Sequence, residues 1–187
     1  MINKLLKKIA SALDENHVPY MIIGGQAVLL YGSPRFTRDI DVTLGVNIDQ
    51  FQAIKTICSE LHIKMAPENP EKFLKDTMVL PAEDMDSKVR VDFIFSFTPY
   101  EKQALSRARE VMIENYPVKF ATPEDVIVLK MFAGRAIDKE DVKSILLKQH
   151  KLDLKYIKKW LSDFQGLPSH KNIVKDFEII FKQSKQC

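Results

Sequence analysis

The apolar positions of this chain switch repeatedly between helical and strand periods up to about residue 121 and are helical after it. Ile2, Leu5, Leu6, Ile9 and Leu13 recur at helical spacing with Lys4, Lys7 and Lys8 on the other face, which predicts an amphipathic first helix. Val18 to Ile23 is a short, β-branched run that ends in Gly24-Gly25, and residues 26–31 have helical composition, so this stretch reads as strand, glycine turn, helix. Gly32-Ser33-Pro34 breaks that helix, residues 35–38 form a loop, and residues 39–44 alternate as a strand does. Ile48, Phe51, Ile54, Ile57, Cys58 and Leu61 mark a second amphipathic helix.

Strands are predicted at 77–80 and 88–97 with residues 81–87 as their turn, where Asp84 and Asp86 should be solvated. A further short pair is predicted at 111–113 and 118–120. From Thr122 onward the pattern is helical. Thr122-Pro123 with Glu124 and Asp125 starts a helix, Gly134 stops it, and Asp138 to Asp141 starts another. Leu154, Ile157, Leu161 and Phe164 mark a third, and Ile173, Val174, Phe177, Ile180 and Phe181 a fourth. The fold class expected is α+β: a mixed-sheet core over 1–121 followed by a helical region over 122–187.

Composition narrows the class. With 187 residues, 45% hydrophobic and 28% charged, the chain can bury a core and matches neither disordered nor collagen-like proteins. Two cysteines, Cys58 and Cys187, are too few for a disulfide scaffold. The first residues mix Lys with apolar side chains, and no apolar run is long enough to span a bilayer, so the expectation is a cytoplasmic protein with no membrane partner. The net charge of +3 is uneven: residues 142–187 hold 10 Lys and 4 acids, leaving the front of the chain at −3.

The chemistry concentrates in three acids and a glycine pair. Asp39 and Asp41 lie two apart on a predicted strand and so project to one face, with Ile40 and Val42 on the other. Val89, Val91, Phe93 and Phe95 take the core face of a later strand, which puts Asp92 opposite them. If the two strands are neighbours, three carboxylates converge, and such crowding calls for protons or cations, Mg²⁺ being the natural hard ion. A solvent-facing pair of acids on an edge strand is the plainer alternative. Gly24-Gly25, between strand and helix, would let backbone approach a phosphate and aim helix amides at it, or would simply turn the chain.

Gly24-Gly25, Arg35-x-Thr37-x-Asp39-Ile40-Asp41 and Asp92 within an apolar strand resemble the nucleotidyltransferase superfamily of polymerase-beta-like fold. Leu129-Lys130-x-x-Ala133-Gly134-Arg135-x-x-Asp138-x-x-Asp141 resembles a segment of its bacterial abortive-infection, toxin-like branch. The resemblance implies a core that moves a nucleoside monophosphate from a nucleoside triphosphate to a hydroxyl. Asp39, Asp41 and Asp92 would be catalytic and would ligate two Mg²⁺ ions, with Gly24, Gly25, Arg35, Thr37 and Lys130 as nucleotide contacts. Gln26 departs from the pattern, since many relatives have Gly-Ser and offer a hydroxyl at the turn.

Lys130 also stands out physically, as a lone charge on a helix apolar almost all round that needs an acid, a phosphate or an escape to solvent. Arg35 suits a phosphate or a plain surface loop. Asp138 and Asp141 fit the branch, but read more simply as a helix start, with Arg135 pairing one of them. His17, His62, His150 and His170 are scattered singly and suggest no zinc site. The acceptor stays open among RNA, protein and small molecules. Lys155, Lys158, Lys159, Lys171, Lys175 and Lys182 in the basic rear segment could follow an RNA backbone or be solvated helix faces. An antitoxin partner fits the resemblance. The alternative function is a catalytically silent binding module of the same fold.

Overall fold

A computed structural model describes residues 1–96 and 98–186; Phe97, at the end of a predicted strand, and Cys187 lie outside the described residues. The chain divides into two compact units, one of Met1–Gln26 with Thr37–Ala121 and one of Ala27–Phe36 with Thr122–Cys187. No helix among the described residues is long and apolar enough to cross a membrane.

The first unit holds a seven-stranded mixed sheet in the order β3-β4-β5-β2-β1-β7-β6. Its strands are β1 (Tyr20–Ile23), β2 (Ile40–Leu44), β3 (Ile63–Met65), β4 (Val79–Asp84), β5 (Arg90–Phe95), β6 (Arg109–Ile113) and β7 (Tyr116–Phe120). β2 runs parallel to β5, and β1 parallel to β7; the other neighbours are antiparallel. The first helix, α1 (Ile2–Glu15), buries Leu5, Leu6, Ile9, Ala10 and Leu13, the stripe that its periodicity predicts, and packs on β6 and β7. Asp14 at its C-terminal end binds Lys119 Nζ (2.6 Å) and the Tyr116 hydroxyl (3.0 Å). The residues that alternation assigns inward are buried, Ile40, Val42 and Leu44 on β2 and Val91, Phe93 and Phe95 on β5, and Thr43 and the whole of Tyr20–Ile22 are buried as well.

The predicted α2 begins two residues earlier than its composition suggests, at Gly24, and runs to Tyr31; the division between the units falls within it. α3 (Phe51–Glu60) agrees with its apolar spacing. Three elements are absent from the sequence reading: β3, α4 (Pro70–Thr77) and α5 (Pro99–Arg107). The supposed turn at 81–87 is corrected as well. β4 continues through Pro81 to Asp84, and Asp84 is 3% exposed instead of solvated. Its carboxylate accepts the Ser87 amide at 2.8 Å, closing the turn from within, and Lys8 Nζ stands 3.9 Å away.

The second unit is helical: α6 (Pro123–Ala133), α7 (Ala136–Lys148), α8 (Leu154–Gln165) and α9 (Ile173–Ser184). Thr122 caps α6, accepting the Asp125 amide, and Gly134 ends it in the left-handed conformation at φ +68°. α6 is buried almost all round because α7, α8 and α9 all pack against it.

Candidate active site

Strand pairing assembles the acids. Asp41 on β2 is in direct register with Asp92 on β5, and Ile23, the last residue of β1, pairs with Asp41 on its other side. Residues in register on paired strands share a face, so the Asp41 and Asp92 side chains leave the sheet together. Asp39, two residues before Asp41 and just ahead of the strand, is exposed. Gln26 fixes it there: its buried amide donates from Nε2 to the Asp39 carbonyl at 3.2 Å. The residue that departs from the family pattern therefore ties the glycine turn to the acid strand.

The turn is packed against the same acids. Gly24 has φ +61°, and a Cβ built there would overlap the Asp41 carboxylate. A Cβ at Gly25 would collide with the Thr37 hydroxyl. Both glycines are thus required by close approach, and Gly24 by backbone conformation as well. Thr37 brings a hydroxyl to the turn from the loop side. Turn, Thr37 and the three acids all lie in the first unit.

The crowded negative charge is answered by a residue absent from the sequence reading. Arg90 is two residues before Asp92 on β5, hence on the same face, and grips it with two bonds: Nε to Oδ1 at 3.0 Å and Nη2 to Oδ2 at 2.9 Å. Its guanidinium is held above its usual range, first by the hydrogen bond and charge of Asp92, then by the charges of Asp39 and Asp41. The alternation Arg90-Val91-Asp92 is the sequence signal that could have revealed it. Among the described residues no three His, Cys, Asp or Glu side chains are gathered closely enough to hold an ion. The donor chemistry nonetheless fits Mg²⁺: the hard carboxylate oxygens of Asp41 and Asp92 leave one face in register, with Asp39 two residues upstream, beside a turn with no room for a Cβ.

Lys130 and Arg35 lie in the second unit, on acids. Lys130, 6% exposed, donates to Asp138 Oδ1 at 2.8 Å and reaches Asp141 Oδ2 at 3.0 Å. Arg35 forks onto Asp141, with Nε to Oδ1 at 2.8 Å and Nη2 to Oδ2 at 3.0 Å. Arg135 binds Asp138 through Nε (2.7 Å), Nη2 (3.1 Å) and its amide (3.2 Å). Asp138 and Asp141 are therefore more than a helix start: they are buried, and between them they bind three cations. Burial alone would raise the Asp138 carboxyl, but the hydrogen bonds and charges of Arg135 and Lys130 prevail and hold it below the usual carboxylate range.

Two lysines of the anticipated basic track are also partnered, Lys158 with Glu178 at 3.1 Å and Lys159 with Asp163 at 3.0 Å.

A family model described as nucleotidyl transferase of unknown function (DUF2204) matches residues 2–174. The chain belongs to this family. No curated protein matches the sequence. Among solved structures, the fold of this nucleotidyl transferase family member resembles an antigenic nucleotidyltransferase-like protein from Paracoccidioides brasiliensis (TM-score 0.56, 17% identity, covering 93% of this chain and 92% of that one). It also resembles the antibiotic-resistance factor ANT(2")-Ia in complex with adenylyl-2"-tobramycin (TM-score 0.52, 19% identity, 98% and 97% covered). A third is the lincosamide antibiotic adenylyltransferase LnuA with lincomycin bound (TM-score 0.53, 17% identity, 76% and 94% covered). At these identities the likeness concerns the fold, and it agrees with the mixed-sheet architecture expected of a nucleotidyltransferase.

Proposed function

We propose that this nucleotidyl transferase family member moves a nucleoside monophosphate from a nucleoside triphosphate to a hydroxyl acceptor. The observation that carries the reading is the register Asp41 to Asp92 on parallel strands, with Asp39 two residues upstream and the Gly24-Gly25 turn packed against Asp41. Asp39, Asp41 and Asp92 are the residues that would hold Mg²⁺, two ions by resemblance. When bound, the metal offsets triphosphate charge and acidifies the acceptor hydroxyl.

The chain's own contributions follow from its backbone. The first amides of α2, which starts at Gly24, have no partner within the helix and present donors to an anion. The absence of side chains at the turn lets the β- and γ-phosphates approach those amides, with the Thr37 hydroxyl alongside. The acceptor oxygen then attacks the α-phosphorus, the bond to the bridging oxygen breaks, and pyrophosphate leaves with the electron pair. A carboxylate oxygen of Asp92 takes the acceptor's proton. Lys130 and Arg35 are given no part in this step, because both are held by ion pairs to Asp138 and Asp141.

The test is transfer of label from each of the four α-labelled nucleoside triphosphates, with Mg²⁺, to total RNA, to lysate protein and to hydroxylated small molecules. Tobramycin and lincomycin, bound forms of which occur in two similar structures, belong among the last. Transfer by the natural chain that disappears in Asp39→Asn/Asp41→Asn supports the proposal. Transfer that persists in the double variant refutes it. Tight binding of Mg²⁺-nucleotide with no transfer to any acceptor class would instead establish the silent binding module.

A further inference from the structure

We propose that Arg90 is the resident counter-cation of the carboxylate face and competes with a divalent metal for Asp92, thereby setting the affinity of the site for that metal. This rests on the metal reading above and deepens it. The geometry is specific: both oxygens of Asp92 are engaged by one guanidinium, at 3.0 and 2.9 Å, so a metal approaching this carboxylate must either displace Arg90 from an oxygen or take a remaining lone pair against the repulsion of its charge.

The two partners differ in freedom. Asp92 is 16% exposed and fixed on a central strand, whereas Arg90 is 58% exposed and can swing aside without disturbing the sheet. Among the described residues its ion pair is with Asp92. Glu83, opposite it on β4, is engaged by Lys88 at 3.4 Å, and the remaining charges that act on Arg90 are Asp39 and Asp41 themselves. Arg90 thus interacts with all three acids, most strongly with Asp92. Displacing it exchanges a monovalent, half-solvated partner for a divalent one and leaves a free guanidinium beside the incoming triphosphate.

Mn²⁺ alone is the probe, titrated against the full-length natural chain, Arg90→Gln, Arg90→Lys and Asp92→Asn, with free Mn²⁺ read by electron paramagnetic resonance. Arg90→Gln should bind roughly tenfold more tightly, the scale of one partly exposed bidentate pair. Arg90→Lys, which keeps the charge but not the fork, should fall between. Without metal and at low salt, Arg90→Gln should melt below the natural chain, and saturating Mn²⁺ should close the gap. A purely structural arginine would lower the melting temperature while leaving Mn²⁺ affinity unchanged, and that result overturns the inference, as does weaker binding by Arg90→Gln. Failure of both the natural chain and Arg90→Gln to bind millimolar Mn²⁺ refutes the metal reading itself, and the inference with it.

Discussion

Replacing Lys130 by Met removes an ammonium from a cluster in which every other charge stays in place. Lys130 is buried on two carboxylates, at 2.8 Å from Asp138 and 3.0 Å from Asp141. Removing one partner of a buried pair typically costs about 3–5 kcal/mol, because the group left behind remains desolvated. Here each acid retains a guanidinium, Asp138 that of Arg135 and Asp141 that of Arg35, so the loss should lie lower, at about 2–4 kcal/mol. For a chain of this length that is a fall in melting temperature of roughly 5–15 °C, followed by circular dichroism. The pH dependence adds a second signature. The Asp138 carboxyl is held below its unfolded value, so its contribution is complete above the ordinary carboxylate range near ~4 and fades as pH falls through the folded value. Without Lys130 that depression shrinks, so the deficit of the variant should be largest at neutral pH and diminish on acidification. A deficit below about 1 kcal/mol, or one that does not change with pH, would refute the buried-cluster reasoning.

Gly24→Ala should cost about 1–2 kcal/mol in left-handed backbone strain alone, and should also displace the Asp41 carboxylate; urea unfolding together with Mn²⁺ titration would register both effects. Gly25→Ala should destabilise by about 1–3 kcal/mol through overlap with Thr37, and Thr37→Gly in the same chain should recover most of that loss, as measured by urea midpoint. Burial pushes the Cys58 thiol up to about 12, so in a Cys187→Ser background Cys58 should resist a disulfide reagent at pH 8 until denaturant unfolds the chain.

Much of the site is legible because alternation is a local property. Asp39, Asp41 and Asp92 could be assigned to faces from their neighbours alone, and so could Arg90 had the same rule been applied two residues upstream of Asp92. The adjacency of β2 and β5 is not local; it depends on a crossover of more than forty residues. The elements missed within and just after that crossover were signalled by their caps and not by their stripes. Asn69 before Pro70 accepts the Lys72 amide, and Thr98 with Glu101 forms a reciprocal capping box around Pro99. Both helices are short and polar, so periodicity is weak where capping is strong. Asp84 was misjudged because acids in turns are ordinarily hydrated, whereas here β4 carries the residue inward and Ser87 satisfies one of its oxygens. Lys130 was correctly identified as needing a partner, yet Asp138 and Asp141 could be recognised as its partners only once α7 was seen packed on α6.

The in-register meeting of Asp41 and Asp92 makes the carboxylate site an all-or-nothing product of sheet assembly. A slip of one residue in β5 would set Val91 or Phe93 opposite Asp41 and turn Asp92 toward the core, so no partly correct pairing yields a partly working site. Length changes are consequently unequal in effect. An extra residue in the 85–87 turn can be absorbed between strands, while a single insertion within β5 before Asp92 should part Asp92 from Asp41, and with it abolish the proposed metal binding, even in a chain that still folds.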